Sequence, residues 1–357
     1  MSSKRIAFWE KAADLDKTLK VGNQDLFILK KKRVTPIPYS RLLMFSRMAK
    51  GQVSLFNNLK VPVSNDSGND LRSVLTNGIS TGFPKSRTAR IQVGRSGRRC
   101  RMRVAEVMRR WQSGRTILSV TDLHFRGTKF YELINTSALS NFNILCTDLE
   151  FSSEFMESIE MMTLVVSSEG NLTDNHADDC DGTNHCFLGR KLWLAWDRLE
   201  GKAVGFEDVD RDKVLDQAAF DIKAFLSLPS SRWFTVEPGQ TLFLPGSLAH
   251  KVITLEHYIG AGSFHVALPS YIRSLKRWIL YDTHDIGPQG FLEKINVAVM
   301  RRIHKLQGAP QSVRASWGVS SMKKAIQLWD KTESLENKAA LLRHPAFASF
   351  HKTGLGA

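Results

Sequence analysis

No Cys-x-x-Cys pair occurs anywhere in the 357 residues. The four cysteines, Cys100, Cys146, Cys180 and Cys186, are scattered, which argues against both a zinc site and a disulfide framework. No apolar run reaches the roughly 18 residues that a membrane span needs. The opening stretch, Met1 to Glu10, is too polar for a signal peptide. These absences lead to the expectation of a soluble, intracellular protein in a reducing compartment, without membrane contact. Acidic residues are also scarce over one stretch: Lys85 to Lys129 holds 13 Lys/Arg against 2 acids. From Asp148 to Asp216 the balance reverses, with 17 acids against 6 bases. The net charge of +15 therefore conceals a dipolar chain. Its basic part suits a polyanion such as nucleic acid, and its acidic middle suits a basic partner.

A hydrophobic fraction of 42% with 24% charged residues is ordinary for a folded protein and excludes wholesale disorder. By pattern the chain divides into a basic N-terminal region with a linker (1–116), a strand-rich region (117–270) and a helical region (271–357). Ser64 to Ser86, rich in Ser, Asn, Gly and Asp, reads as loop. Arg87 to Arg103 reads either as a solvated charge run or as a phosphate contact. Val104 to Trp111 has the spacing of a short amphipathic helix. Strands are expected at Ile117–Val120, Phe142–Leu149, Met162–Ser167, up to Asp178, along His185–Trp196, and at Trp233–Val236, Thr241–Leu244, His250–Leu255 and Tyr258–Ala267. A turn is expected through Asp181-Gly182-Thr183, and helical spacing interrupts the strands over Asp210–Leu226. Further helices are expected over Tyr271–Tyr281, Gly290–Leu306 and Ser321–Arg343. Many short strands separated by turns suggest a jelly roll.

A β-strand puts residues i and i+2 on one face about 7 Å apart. In Thr173-Asp174-Asn175-His176-Ala177-Asp178 the His176 imidazole and the Asp178 carboxylate are thus positioned to share an ion. His250, from a later strand, completes a 2-His-1-carboxylate set whose open positions suit non-haem Fe(II) oxygen chemistry. Asp179 and Asp181 are rivals to Asp178, but Asp179 points to the opposite face and Asp181 falls in the expected turn. His265 reads as a supporting or core histidine rather than a ligand.

Further motifs stand in order around these residues: Leu164-Val165-Val166-Ser167, then His185-Cys186-Phe187-Leu188-Gly189-Arg190-Lys191-Leu192-Trp193, Gly239-Gln240-Thr241-Leu242-Phe243-Leu244-Pro245 and Gly260-Ala261-Gly262-Ser263-Phe264-His265. Together with the metal motif they resemble the core of JmjC-domain oxygenases over about residues 117–282. The likeness is greatest to the histone lysine demethylases associated with F-box and CXXC modules and to their PHD-finger relatives. The resemblance implies a mainly β fold with helices, a double-stranded β-helix of the cupin jelly-roll kind between N- and C-terminal helical segments. It implies Fe(II) on His176, Asp178 and His250, and 2-oxoglutarate with its far carboxylate on Lys191 and Thr173. Asn143 would either contact this cosubstrate from a neighbouring strand or serve the structure alone.

The implied reaction couples oxidative decarboxylation of 2-oxoglutarate to oxidation of a substrate C–H bond. On an N-methyl-lysine the product is formaldehyde and a demethylated amine; on a side-chain carbon it is a stable alcohol. A nuclear enzyme demethylating a basic, histone-like tail is the first expectation. A hydroxylase of a protein or RNA side group, and a catalytically silent chromatin-binding protein, are the alternatives. One departure bears on this choice: Asp179-Cys180-Asp181-Gly182-Thr183-Asn184 is shorter than the corresponding segment of the demethylases and has no aromatic residue. No Cys-rich reader module accompanies it.

Overall fold

Runs of β-branched and aromatic residues bounded by Gly, Pro and Asp set the frame. The computed structural model describes residues 31–65, 68–94, 98–148, 162–178, 180–206, 222–246, 248–280 and 290–357. The strands among them are β1 (Ile37–Pro38), β2 (Ser54–Asn57), β3 (Thr88–Val93), β4 (Arg98–Arg103), β5 (Leu118–His124), β6 (Thr163–Ser167), β7 (Leu172–Ala177), β8 (Asp181–Leu188), β9 (Lys191–Asp197), β10 (Arg232–Val236), β11 (Thr241–Leu244), β12 (Leu248–Thr254) and β13 (Tyr258–His265). They form a nine-stranded sheet, ordered β1-β2-β11-β8-β13-β6-β5-β3-β4, and a four-stranded sheet, ordered β10-β9-β12-β7. Apart from the parallel β1–β2 pair, every pairing between these strands is antiparallel.

The two sheets face each other across an apolar layer that includes Val165, Leu242 and Tyr258 from the larger and Trp193, Phe234 and Val252 from the smaller. From β6 to β13 the chain passes back and forth between them. Two glycines permit this path. Gly189 turns β8 into β9 at φ +76°, where a Cβ would lie 2.2 Å from the His257 carbonyl oxygen. Gly260 lets β13 approach β8, since a Cβ there would lie 2.7 Å from the His185 carbonyl oxygen.

Helices Leu71–Gly82 and Val104–Ser113 bury their apolar stripes, Leu75 and Ile79 with Val107, Met108 and Trp111, in a core shared with β3, β5 and β6. The C-terminal helices Tyr271–Leu280, Phe291–Gln307, Val319–Thr332, Leu335–Arg343 and Pro345–Gly356 close a second core around Tyr271, Trp278, Ile326, Phe347 and Phe350. That core also takes in Ile144, Leu145, Cys180 and Val266 from the strand-rich region. No helix among the described residues is long and apolar enough to cross a membrane.

Several expectations need correction. The chain is mixed, with more helix than strand among the described residues, rather than mainly β. Ser64–Ser86 contains a helix, because Asp70 accepts the Ser73 N–H at 3.0 Å and an apolar stripe follows. The arginine-rich segment is the β3–β4 hairpin. Phe142–Leu149 holds a one-turn helix, Ile144–Thr147, started by the Asn143 side chain. Asp181-Gly182-Thr183 opens β8 in register with Ser263–His265 instead of turning. Ser321–Arg343 is broken at Glu333–Ser334, where Ser334 caps the next helix. Of the expected helix over Asp210–Leu226, residues 210–221 lie outside the described residues. The boundary expected at residue 116 is crossed by the nine-stranded sheet, since β3 pairs with β5.

Candidate metal centre

β12 lies between β9 and β7, and its His250 is the direct cross-strand partner of His176. Cross-strand neighbours lie about 5 Å apart at the Cα atoms, and here the two imidazole centroids come to 4.1 Å. Asp178, one residue past the end of β7, brings its carboxylate to 3.9 Å from Nε2 of His176 and 3.9 Å from Nε2 of His250. One donor atom from each of the three lies within 4.8 Å of the others. Three donors on one face of an ion with bonds of about 2.1 Å lie roughly 3 Å apart, so the set is placed like a bound one but somewhat wider. His250 is buried, which pulls its pKa down to about 4 and keeps the ring neutral at ordinary pH. Its Nδ1 lies 3.2 Å from the Leu248 carbonyl oxygen, so the proton goes there and the Nε2 lone pair faces Asp178.

The register of β7 against β12 contains an irregularity: His250 pairs with His176, and Val252 pairs with Thr173. Two steps on β12 thus answer three on β7. Without the bulge, Thr173 and His176 would point to opposite faces; with it, both line one cavity of about 300 Å³ between the sheets. Lys191 and Trp193 alternate inward from β9 and line the same space. Lys191 is 3% exposed, with Nζ 4.5 Å from the centroid of the Tyr258 ring. No carboxylate among the described residues pairs with it, and burial lowers its pKa to about 7. Such an amine asks for an anionic partner. Buried Asn175 Oδ1 and Trp193 Nε1, also on the cavity, lack a hydrogen-bond partner among the described residues. The donor set and these unmatched polar groups fit a divalent ion with an anionic, multiply hydrogen-bonding ligand beside it.

Five of the six expected site residues, His176, Asp178, His250, Thr173 and Lys191, thus meet at one cavity. Asn143 does not line it. Its Oδ1 accepts the N–H groups of Leu145 and Val266, at 3.1 and 3.0 Å, and its Nδ2 donates to the Phe264 carbonyl at 2.6 Å. The amide is used up joining the helix Ile144–Thr147 to the end of β13. Asp181 is no ligand either: it is buried, with Oδ1 on the Gly246 N–H and on Arg273 at 2.5 Å. His265 is likewise engaged, its Nε2 2.8 Å from Thr183 Oγ1. Asp179 lies outside the described residues.

Two features escaped sequence reasoning. Arg277, from the helix Tyr271–Leu280, donates to the Asp178 carbonyl at 2.6 Å and to that of Gly246. Nothing in a lone arginine inside an amphipathic helix signals this reach. Arg90, Gln92 and Arg99 of the β3–β4 hairpin line the mouth of the cavity. Their alternation with Ala89, Ile91 and Cys100 was the available signal. Comparison with protein-family models and with curated proteins finds no match to this chain.

Proposed function

We propose that the chain is an Fe(II)- and 2-oxoglutarate-dependent dioxygenase of the JmjC type, built on a double-stranded β-helix. The observation that carries this reading is one cavity holding both a His-Asp-His set and a buried lysine that no carboxylate among the described residues neutralises. In support of the jelly roll, β6 to β13 supply four contiguous strands, β11-β8-β13-β6, of one sheet and the whole of the other. His176, Asp178 and His250 hold the iron. Lys191 and Thr173 take the far carboxylate of the keto acid, and Trp193, Val252 and Leu242 keep water from the reacting face. Once bound, the iron and cosubstrate would supply the oxidation, with one oxygen atom of O2 going to the substrate C–H carbon, the other to succinate, and CO2 as the remaining product.

Demethylation of a methyl-lysine on a histone-like tail is one outcome of that chemistry. A specific observation favours the other outcome, hydroxylation of a side group on an anionic substrate. Asp178 is the one carboxylate among the described residues lining the cavity, and Arg90 and Arg99 stand at its mouth. Guanidinium groups repel a lysine- and arginine-rich tail. The test is mass spectrometry of histone peptides and of RNA oligonucleotides incubated with protein, Fe(II), ascorbate and 2-oxoglutarate. Gain of one oxygen marks hydroxylation; loss of a CH2 marks demethylation. His176→Ala should abolish succinate formation and weaken Fe(II) binding by at least about two orders of magnitude, since a ligand itself is lost. Unchanged turnover in that variant would remove the metal assignment.

A further inference from the structure

The β3–β4 hairpin pairs Thr88 with Arg103, Arg90 with Arg101, and Gln92 with Arg99. Directly paired residues of antiparallel strands project to the same face, so Arg90, Arg99, Arg101 and Arg103 share one, with Thr88 and Gln92. All four arginines are exposed. The opposite face carries Ala89 and Ile91, which are buried, and Cys100 and Met102, which pack on the same core. That burial pins the hairpin and keeps the arginines outward.

Several arginines elsewhere pair with carboxylates. Arg109 and Arg110 share Glu106, Arg273 meets Asp181, and Arg302 meets Asp148. Among the described residues no carboxylate pairs with any of the four on the hairpin. Four like charges held on one rigid face make a positive field that favours an anionic partner.

From this face we infer that the hairpin binds the phosphate backbone of a single-stranded nucleic acid and leads the strand to the cavity mouth; only the last clause rests on the oxygenase reading. Successive arginines on β4 stand about 7 Å apart, which suits a row of repeated anions rather than one. Guanidinium forks bind phosphate in bidentate fashion. The arginine face includes no apolar residue, which disfavours a lipid surface. Arg90 and Arg99 belong both to this face and to the cavity mouth, so the track ends where a side group would enter. A duplex would have to flip a nucleotide out to reach that opening, whereas a single strand presents its bases freely.

The experiment is fluorescence anisotropy of the full chain, without iron or 2-oxoglutarate, against a labelled single-stranded RNA 20-mer, its duplex, a phosphopeptide and poly-glutamate. The expected result is preference for the single strand, with a slope of log K against log salt near −3 for four phosphate contacts at about −0.7 each. The variant R90Q/R99Q/R101Q/R103Q, which keeps the buried face, should bind at least about tenfold more weakly with a flatter slope and an unchanged melting temperature. Absent or salt-insensitive binding, or equal affinity of the variant, would overturn the inference. Tighter binding of the duplex, the phosphopeptide or poly-glutamate would overturn the choice of partner. Because binding is read without cofactors, a chain that makes no succinate can still pass, and an active oxygenase can still fail.

Discussion

Lys191 carries the consequence most open to measurement at the residue scale. A free lysine has a pKa of 10.5, and burial lowers this one to about 7. Between those values the unfolded chain keeps a proton that the folded chain has released. Stability therefore rises with pH across that window, and the penalty is fully present below pH 7. A carboxylate brought against the amine reverses the shift, so binding draws a proton in. The melting temperature of the ligand-free protein should rise from pH 7 to pH 9 by more than that of Lys191→Met. Calorimetric titration with 2-oxoglutarate at pH 8 should show proton uptake in paired buffers of different ionisation enthalpy. Equal heats in the two buffers would show that the ligand's carboxylate never reaches Nζ. His176 and Asp178 were legible in the sequence through strand alternation, and the burial of Lys191 through its place between Phe187 and Trp196, while its role came by resemblance. Thr173 was legible only by resemblance: simple alternation turns it away from His176, and the bulge that turns it back has no signature in residue type.

Elements explain why Asn143 and Arg277 were harder to read. A run such as Phe142-Asn143-Ile144-Leu145-Cys146 satisfies strand and helix patterns alike over so few residues. What decides it is the Asn143 amide, which caps a short helix and binds the end of β13. Long apolar strands such as β12 and β13 were readable because both length and composition favour them, whereas the single run expected over His185–Trp196 is divided by the turn at Gly189 into β8 and β9 of different sheets. The hairpin β3–β4 was not, since its exposed arginines mask an alternation that is plain once the buried residues are known. Arg277 joins the helix Tyr271–Leu280 to the metal centre by holding the carbonyl of Asp178, whose carboxylate is a proposed ligand. It acts as a positioning residue. Arg277→Met should weaken Fe(II) binding by about 10- to 100-fold while leaving the pH at which Lys191 titrates unchanged. A variant with native iron affinity and a merely lower melting temperature would reduce Arg277 to a packing role.

At the scale of the whole molecule, the pattern of the chain suggested three regions, and the fold ties them together. The nine-stranded sheet takes β1 to β4 from the first region and β5, β6, β8, β11 and β13 from the second. The helices of the third region share a core with Ile144, Leu145, Cys180 and Val266. Pairings across such sequence distances leave no local trace, which is why the crossing of the residue-116 boundary was not legible. One consequence is that damage far from the candidate metal centre should reach it. Phe350 is fully buried, with its ring centroid 4.8 Å from that of Tyr271 at the start of the helix that carries Arg277. Phe350→Ala should cost about 3–5 kcal/mol. Helix content, followed by circular dichroism, and Fe(II) binding, followed on the same samples, should be lost at one lowered temperature. If iron binding instead survives to the native temperature while helix signal falls early, the C-terminal helices unfold by themselves and the shared core does not couple them to the metal centre.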